Sequence, residues 1–288
     1  MKTVDHIAPL RAQIKLWRQQ GQTIGFIPTM GNLHAGHISL ITKAHQYADK
    51  IVASIFVNPM QFGANEDIDK YPRTLSNDQA SLEAVNTDLL FIPTPAIIYP
   101  KGLEKQSFVE VPNLSEGYCG ESRPGHFRGV ATVVCKLFNL VQPDVACFGL
   151  KDYQQVQVIQ TMVDDLSLAV KIIPVETMRD SNGLALSSRN NYLTTDELAI
   201  APALAHNIQW LATQLKNNND FIGLAKKAAD LIDDAGLKTD YIHICHAHSL
   251  QPANKDDLQL VILAAAYCGN TRLIDNLQVN LNHTSNLT

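Results

Sequence analysis

The chain has 288 residues, 45% hydrophobic and 18% charged, with a formal net charge of −5, an ordinary globular balance long enough for two domains. No stretch is apolar and long enough to span a bilayer, which argues against a membrane role, and the mild negative charge without a Lys/Arg stripe argues against nucleic acid as the main partner. The five cysteines, Cys119, Cys135, Cys147, Cys245 and Cys268, lack CxxC or metal-ligand spacing and read as reduced thiols of a cytoplasmic protein.

In chain order, the opening Met1–Trp17 segment carries its apolar residues at helical spacing and reads as a first helix rather than a secretory signal. From Thr23 to Val175, short β-branched runs alternate with helix-length periodic segments, as in a parallel sheet wrapped by helices. Strands are predicted at Thr23–Pro28, Ile51–Val57, Asp88–Ile92, Asp144–Gly149 and Val170–Val175. Helices are predicted at His34–Asp49, Ser76–Asn86, His126–Val141 and Asp152–Leu166. This is an α/β doubly wound parallel sheet over residues 1–177.

After about Met178 the texture changes to helical patterns at Thr195–Lys216 and Phe221–Ala235, then antiparallel strands at Tyr241–Ile244 and Leu258–Ala266. Residues 178–288 are therefore expected to form a smaller C-terminal α+β domain that closes over the site. The dense turn signal Asp180-Ser181-Asn182-Gly183 is a candidate hinge between the two domains. The polar ending, residues 281–288, reads as a disordered tail.

The strongest chemical signal is Pro28-Thr29-Met30-Gly31-Asn32-Leu33-His34-Ala35-Gly36-His37, directly after the first predicted strand and opening a helix. A helix N-terminus beyond a strand end offers backbone N–H groups and a partial positive charge to phosphate. Gly31 and Gly36 permit close backbone approach, while His34 and His37, three apart, can donate to one phosphate group. The bland reading is a polar helix start; a zinc pair lacks both an HExxH glutamate and an evident third ligand. Neither a Walker loop nor a GxGxxG fingerprint is present.

A second signal, Phe148-Gly149-Leu150-Lys151-Asp152-Tyr153-Gln154-Gln155, again passes from a strand end into a helix. Lys151 can neutralise phosphate there, and Asp152 can cap the helix or bind a ligand hydroxyl. A third, Leu186-Ser187-Ser188-Arg189, sets two hydroxyls beside an arginine, which suits a triphosphate as well as an ordinary polar loop. Gln61, after the second strand, and Gln155, after the fourth, should point to the same sheet edge, where neutral amides can orient a hydroxy acid. Arg123 to Arg128 reads equally as a source of cations for an anion or as a plain helix entry. In His243-Ile244-Cys245-His246-Ala247-His248, strand alternation splits the side chains between two faces, which opposes a metal site.

Taken in this order and spacing, IPTMGNLHAGH, FVNPMQF, YPRT, RPGHFRGV, FGLKDYQQ and ALSSRN resemble the pantothenate synthetases. The likeness covers nearly the whole first 190 residues and continues more weakly beyond. It implies a Rossmann-like nucleotidyltransferase fold and a two-step ligation. Pantoate attacks the α-phosphorus of ATP to give pantoyl adenylate and pyrophosphate; β-alanine then displaces AMP to form pantothenate.

By that resemblance Met30 to His37, Gly149 to Asp152, Met178 and Leu186 to Arg189 contact ATP. His37 is the proton donor, with His34 beside it, and Lys151, Ser187, Ser188 and Arg189 act on the phosphates. Gln61 binds both pantoate and β-alanine, and Gln155 binds pantoate. Mg2+ is implied as a cofactor with no assigned ligand, Asp78 being a weak candidate, and a homodimer is implied. Two positions depart from the family pattern: Ala35 and Leu150 stand where glutamate is common. The rival readings are another HxGH nucleotidyltransferase that stops after nucleotide transfer, and an inactive ligand-binding protein on the same scaffold.

Overall fold

A computed structural model describes residues 1–63, 68 and 71–281. The polar ending expected to be disordered lies, apart from Leu281, outside the described residues. The chain divides into one unit of residues 1–150 and 154–176 and a second of residues 151–153 and 177–288.

The first unit is a six-stranded parallel sheet built from β1 (Lys2–Val4), β2 (Ile24–Thr29), β3 (Lys50–Ile55), β4 (Leu89–Phe91), β5 (Val145–Gly149) and β6 (Lys171–Val175), in the order β1-β4-β3-β2-β5-β6. Runs such as Ile51-Val52-Ala53 form strands because both faces are covered, so alternate side chains all find apolar partners. On one face Ile27, Ile51 and Leu90 pack with Leu40 and Ile41 of α2 (Ala35–Ala44) and Leu82 of α3 (Leu75–Ala84). On the other, Phe26 and Phe148 meet Phe138 of α6 (His126–Val141) edge to face, both at 6.3 Å between ring centroids.

The remaining helices of this unit are α1 (Ile7–Gln19), the four-residue α4 (Pro95–Ile98) and α5 (Cys119–Ser122), and α7 (Tyr153–Asp165), whose first residue clusters with the second unit. From β2 the chain winds outward through β3 to β4, then crosses to β5 on the other side of β2, with Gly25 paired to Val145. The switch point of the topology therefore lies between β2 and β5, where open α/β sheets hold their ligands. Both phosphate-type motifs leave the sheet at the ends of these two strands.

The second unit is an antiparallel sheet of β7 (Lys238–His246), β8 (Gln259–Cys268) and β9 (Thr271–Asn280) in sequence order, with α8 (Thr195–Ile200), α9 (Ala203–Leu215) and α10 (Phe221–Asp234). Leu204, Ile208 and Leu211 of α9 and Leu224, Ala228 and Ile232 of α10 share a core with Leu260, Ile262 and Ala264 of β8.

Four expectations change. The first residues are not helix: Lys2–Val4 pairs in parallel with Leu89–Phe91 at the sheet edge. The helix expected at Thr195–Lys216 is broken, because Pro202 lacks the N–H and its ring crowds the preceding turn. A strand was missed at Thr271–Asn280, which runs back along β8 after a two-residue turn with Gly269 at φ +56°. The Asp180–Gly183 segment is not the junction between units, which falls at Glu176 and Thr177. It is a tight turn inside the second unit, where Asp180 Oδ1 accepts from the N–H groups of Asn182 (2.8 Å) and Leu184 (2.9 Å).

Among the described residues no helix is long and apolar enough to cross a membrane, and none of the five cysteines is joined in a disulfide. Burial pushes the Cys147 thiol up to about 12 and also raises those of Cys135 and Cys268. A raised thiol stays neutral and unreactive at pH 8. Thiol titration of the native protein at that pH should find Cys119 first, Cys135 more slowly, and Cys147, Cys245 and Cys268 only after denaturant is added. Fast reaction of a third thiol would contradict this packing.

Candidate active site

After β2 the chain reverses through two successive left-handed residues, Gly31 (φ +86°) and Asn32 (φ +52°). Only glycine fits at position 31, because a Cβ there would also press on Asp78 Oδ2 and Ile55 Cγ2, each at 3.1 Å. The loop is tied down by Asp78, a residue of α3 only 2% exposed. Its Oδ2 accepts from the Asn32 N–H at 2.9 Å, and its Oδ1 from the Leu33 N–H at 2.8 Å and the Thr74 hydroxyl at 3.1 Å. Asp78, considered above as a weak magnesium candidate, clamps the loop with both carboxylate oxygens.

His34 is the N-cap of α2, with extended backbone, and His37 is its third residue. They form a reciprocal capping box made of imidazoles: Gly36 N–H donates to His34 Nδ1 at 3.1 Å, and His34 N–H donates to His37 Nδ1 at 3.3 Å. A ring nitrogen that accepts carries no proton, so the neutral form of each imidazole keeps its hydrogen on Nε2. The ring centroids lie 4.2 Å apart. The backbone N–H groups of Asn32, Leu33, His34 and Gly36 are satisfied inside the loop.

A Cβ at Gly36 would lie 2.8 Å from His34 Cε1, so the missing side chain makes room for the capping ring.

Gln61 ends a 3-10 turn, Pro59–Gln61, and is 8% exposed. Its Oε1 accepts from Asn58 Nδ2 at 3.1 Å, and its Nε2 lies 3.1 Å from the Met30 sulfur, which brings two of the sequence-derived residues together. Its backbone carbonyl accepts from His126 Nδ1 at 2.8 Å and Arg123 Nη2 at 3.4 Å, while Arg123 Nη1 donates to His126 Nε2 at 3.2 Å. The Arg123–His126 pair thus holds Gln61 in place. Gly129 of α6 lets this turn approach: a Cβ there would meet the Met60 carbonyl oxygen at 2.5 Å.

The two glutamines at the start of α7 divide their roles. Gln155 is half-buried. Gln154 is 5% exposed and pins the 114–119 segment, donating to the carbonyls of Leu114 (2.9 Å) and Gly117 (2.8 Å) and accepting from Cys119 N–H (3.1 Å).

In the second unit Lys151, Ser187, Arg189, Asn190, Arg272 and Asp275 are among the residues lining one pocket. The Lys151 backbone is fixed there by Asn276 Nδ2, which donates to its carbonyl at 2.8 Å, and nearby Tyr153 Oη donates to the Ala247 carbonyl at 3.0 Å. Ser187 caps the short turn Ser188–Tyr192, its hydroxyl accepting from Arg189 N–H at 3.2 Å. Leu186 N–H donates to the Met178 carbonyl at 2.8 Å, closing the hairpin that carries the motif. One pocket wall is braced by Arg179, whose two Nη groups hold the buried Asp275 at 2.6 and 2.8 Å. Asp152 is exposed.

Within the His243–His248 run, His246 Nδ1 pairs with the Ser249 hydroxyl and His248 Nε2 with Gln259. Among the described residues no group of three or more His, Cys, Asp or Glu side chains is placed to hold a metal ion.

Sequence reasoning missed Asn58, Tyr99, Gly129 and the role of Asp78. Only Asn58 carried a local signal, an Asn–Pro turn start. The others act across 41 to 71 residues of chain, where spacing says nothing.

A family profile described as pantoate-beta-alanine ligase matches residues 2–278. A pantothenate synthetase of Colwellia psychrerythraea is 71% identical over 98% of this chain and 100% of its own length, and one from Shewanella baltica is 58% identical over 96% and 99%. Among solved structures, a pantothenate synthetase from Thermus thermophilus superposes with a TM-score of 0.89 at 39% identity, covering 96% of this chain and 99% of that one. A pantoate-beta-alanine ligase from Francisella tularensis, complexed with beta-gamma ATP and beta-alanine, does so with 0.80 at 37%, covering 96% and 97%.

Proposed function

Since the chain belongs to the pantoate–β-alanine ligase family, we propose that its imidazole capping box is the element that activates ATP toward the acid. The reaction is the ATP-dependent ligation of (R)-pantoate to β-alanine through pantoyl adenylate, releasing pyrophosphate and then AMP. The observation that carries the assignment of roles is that both Nδ1 atoms accept from backbone N–H groups, so both Nε2–H groups serve as donors.

In the first step a pantoate carboxylate oxygen forms a bond to the α-phosphorus and the bond to the pyrophosphate oxygen breaks. Such a displacement needs positioning and stabilisation of charge on the departing phosphates more than covalent help. In the first unit, Met30 to His37 and Gly149 and Leu150 form the nucleotide-contacting set, with His37 donating from Nε2 to the developing charge and His34 beside it. Gln61 and Gln155 hold pantoate, and Gln61 also holds β-alanine. In the second unit, Lys151, Ser187, Ser188 and Arg189 neutralise phosphate, with Asp152, Met178 and Leu186 flanking them. In the second step the β-alanine amine attacks the acyl carbon, AMP leaves with the bonding pair, and the nitrogen gives up a proton.

Magnesium enters with the nucleotide. Such an ion is commonly held mainly by phosphates and water. Assembly as a homodimer and a cytoplasmic location complete the proposal; the family relationship supports the first and five cysteines outside any disulfide the second.

The test is pyrophosphate release from ATP and magnesium with pantoate alone, followed by β-alanine. Pantoate-dependent pyrophosphate and then β-alanine-dependent AMP and pantothenate are expected. Pyrophosphate without amine-dependent product would indicate a nucleotidyltransferase that stops at the adenylate, and no turnover by folded protein would indicate a binding protein.

A further inference from the structure

Asn58 is 1% exposed and sits between four groups. The Met60 N–H can only donate, and it points at Oδ1 (3.3 Å); the Gly129 carbonyl can only accept, and it faces Nδ2 (3.1 Å). These two main-chain groups settle which end of the amide is oxygen. The partners on either side then have no freedom. Tyr99 Oη must donate to Oδ1, at 2.6 Å, and Gln61 Oε1 must accept from Nδ2, at 3.1 Å. Gln61 consequently shows its N–H groups toward the Met30 thioether, a weak acceptor that a carboxylate or hydroxyl oxygen readily replaces.

We propose that Tyr99 is a positioning residue for the acid substrates: it anchors the Asn58 side chain, which the main chain has already oriented, and through it fixes the Gln61 amide with its N–H donors toward the ligand, so that Gln61 selects ligands by their acceptor oxygens. This rests on the ligase assignment above. Tyr99 is 3% exposed and its ring lies 6.1 Å from that of Phe56. Phenylalanine therefore keeps the packing and removes only the hydroxyl.

In Tyr99→Phe, the Asn58 amide keeps one long bond on its oxygen and Gln61 loosens. The KM for pantoate in pyrophosphate release should rise roughly tenfold, the scale of one well-made buried hydrogen bond, while the KM for ATP stays within about twofold. Asn58→Asp turns an oxygen toward Gln61 Oε1 and should reverse the Gln61 amide, with the same selective loss for pantoate. Gln61→Glu removes the donors directly; because Tyr99 acts through Gln61, adding Tyr99→Phe to it should change the pantoate KM no further.

A Tyr99→Phe enzyme with both KM values unchanged overturns the proposal, as does an equal change in both, or a full additional loss on the Gln61→Glu background. A lower unfolding temperature with an unchanged pantoate KM would make Tyr99 purely structural and also overturns it. Wild-type protein without pantoate-dependent pyrophosphate release overturns the ligase assignment and this inference with it, whereas an active wild type with an ordinary Tyr99→Phe variant overturns this inference alone.

Discussion

Replacing His37 by alanine should slow pantoate-dependent pyrophosphate release by about 100-fold or more, the usual cost of removing one donor that strengthens in the transition state. The geometry gives the residue two jobs that a single variant confounds. Its Nδ1 accepts from the His34 N–H at 3.3 Å, closing the capping box, and its Nε2–H is the proposed donor. Loss of the cap alone would cost about 1 kcal/mol of stability. Glutamate at the third helical position makes the same reciprocal cap bond in other proteins, so His37→Glu should keep the helix start and the unfolding temperature while replacing a donor by a negative charge. Both variants should be inactive within the same order of magnitude, but only the alanine variant should be less stable. An unchanged single-turnover rate in either removes His37 from the chemistry.

How much of this could be read from the chain depends on distance along it. The strands β2 to β6 were legible to within one or two residues because covered strands are continuous apolar runs and most are followed by a periodic helix. Lys2–Val4 was not, being three residues long and paired with β4 alone. Thr271–Asn280 could have been found: Gly269-Asn270 is a two-residue hairpin signal, and Leu273, Asp275 and Val279 are buried on the strand that follows. The phosphate loop announced itself through its place between strand and helix. What could not be seen is that its backbone N–H groups are already taken, since their acceptor Asp78 lies 46 residues away from Asn32. The orientation of Gln61 is equally invisible, because Tyr99 reaches Asn58 across 41 residues.

Asp78 is where the structural reading and the metal-ligand reading part most sharply. Each carboxylate oxygen serves a different backbone donor, Oδ2 the Asn32 N–H and Oδ1 the Leu33 N–H. Asparagine can replace only one oxygen's function; its NH2 group must face the other N–H, donor against donor. Asp78→Asn should therefore cost about 2–3 kcal/mol of stability, the penalty for leaving a buried donor unpaired, and Asp78→Ala at least as much. With the loop no longer held, the imidazoles shift from their working positions, and a displacement of about 1 Å can lower the rate about 100-fold. A magnesium ligand would behave differently. Its loss would leave the unfolding temperature close to that of the wild type and raise the magnesium concentration needed for half-maximal rate, with recovery in excess magnesium. For the clamp, the unfolding temperature and the rate fall together and the magnesium dependence stays where it was; recovery of the asparagine variant by magnesium would return Asp78 to the metal.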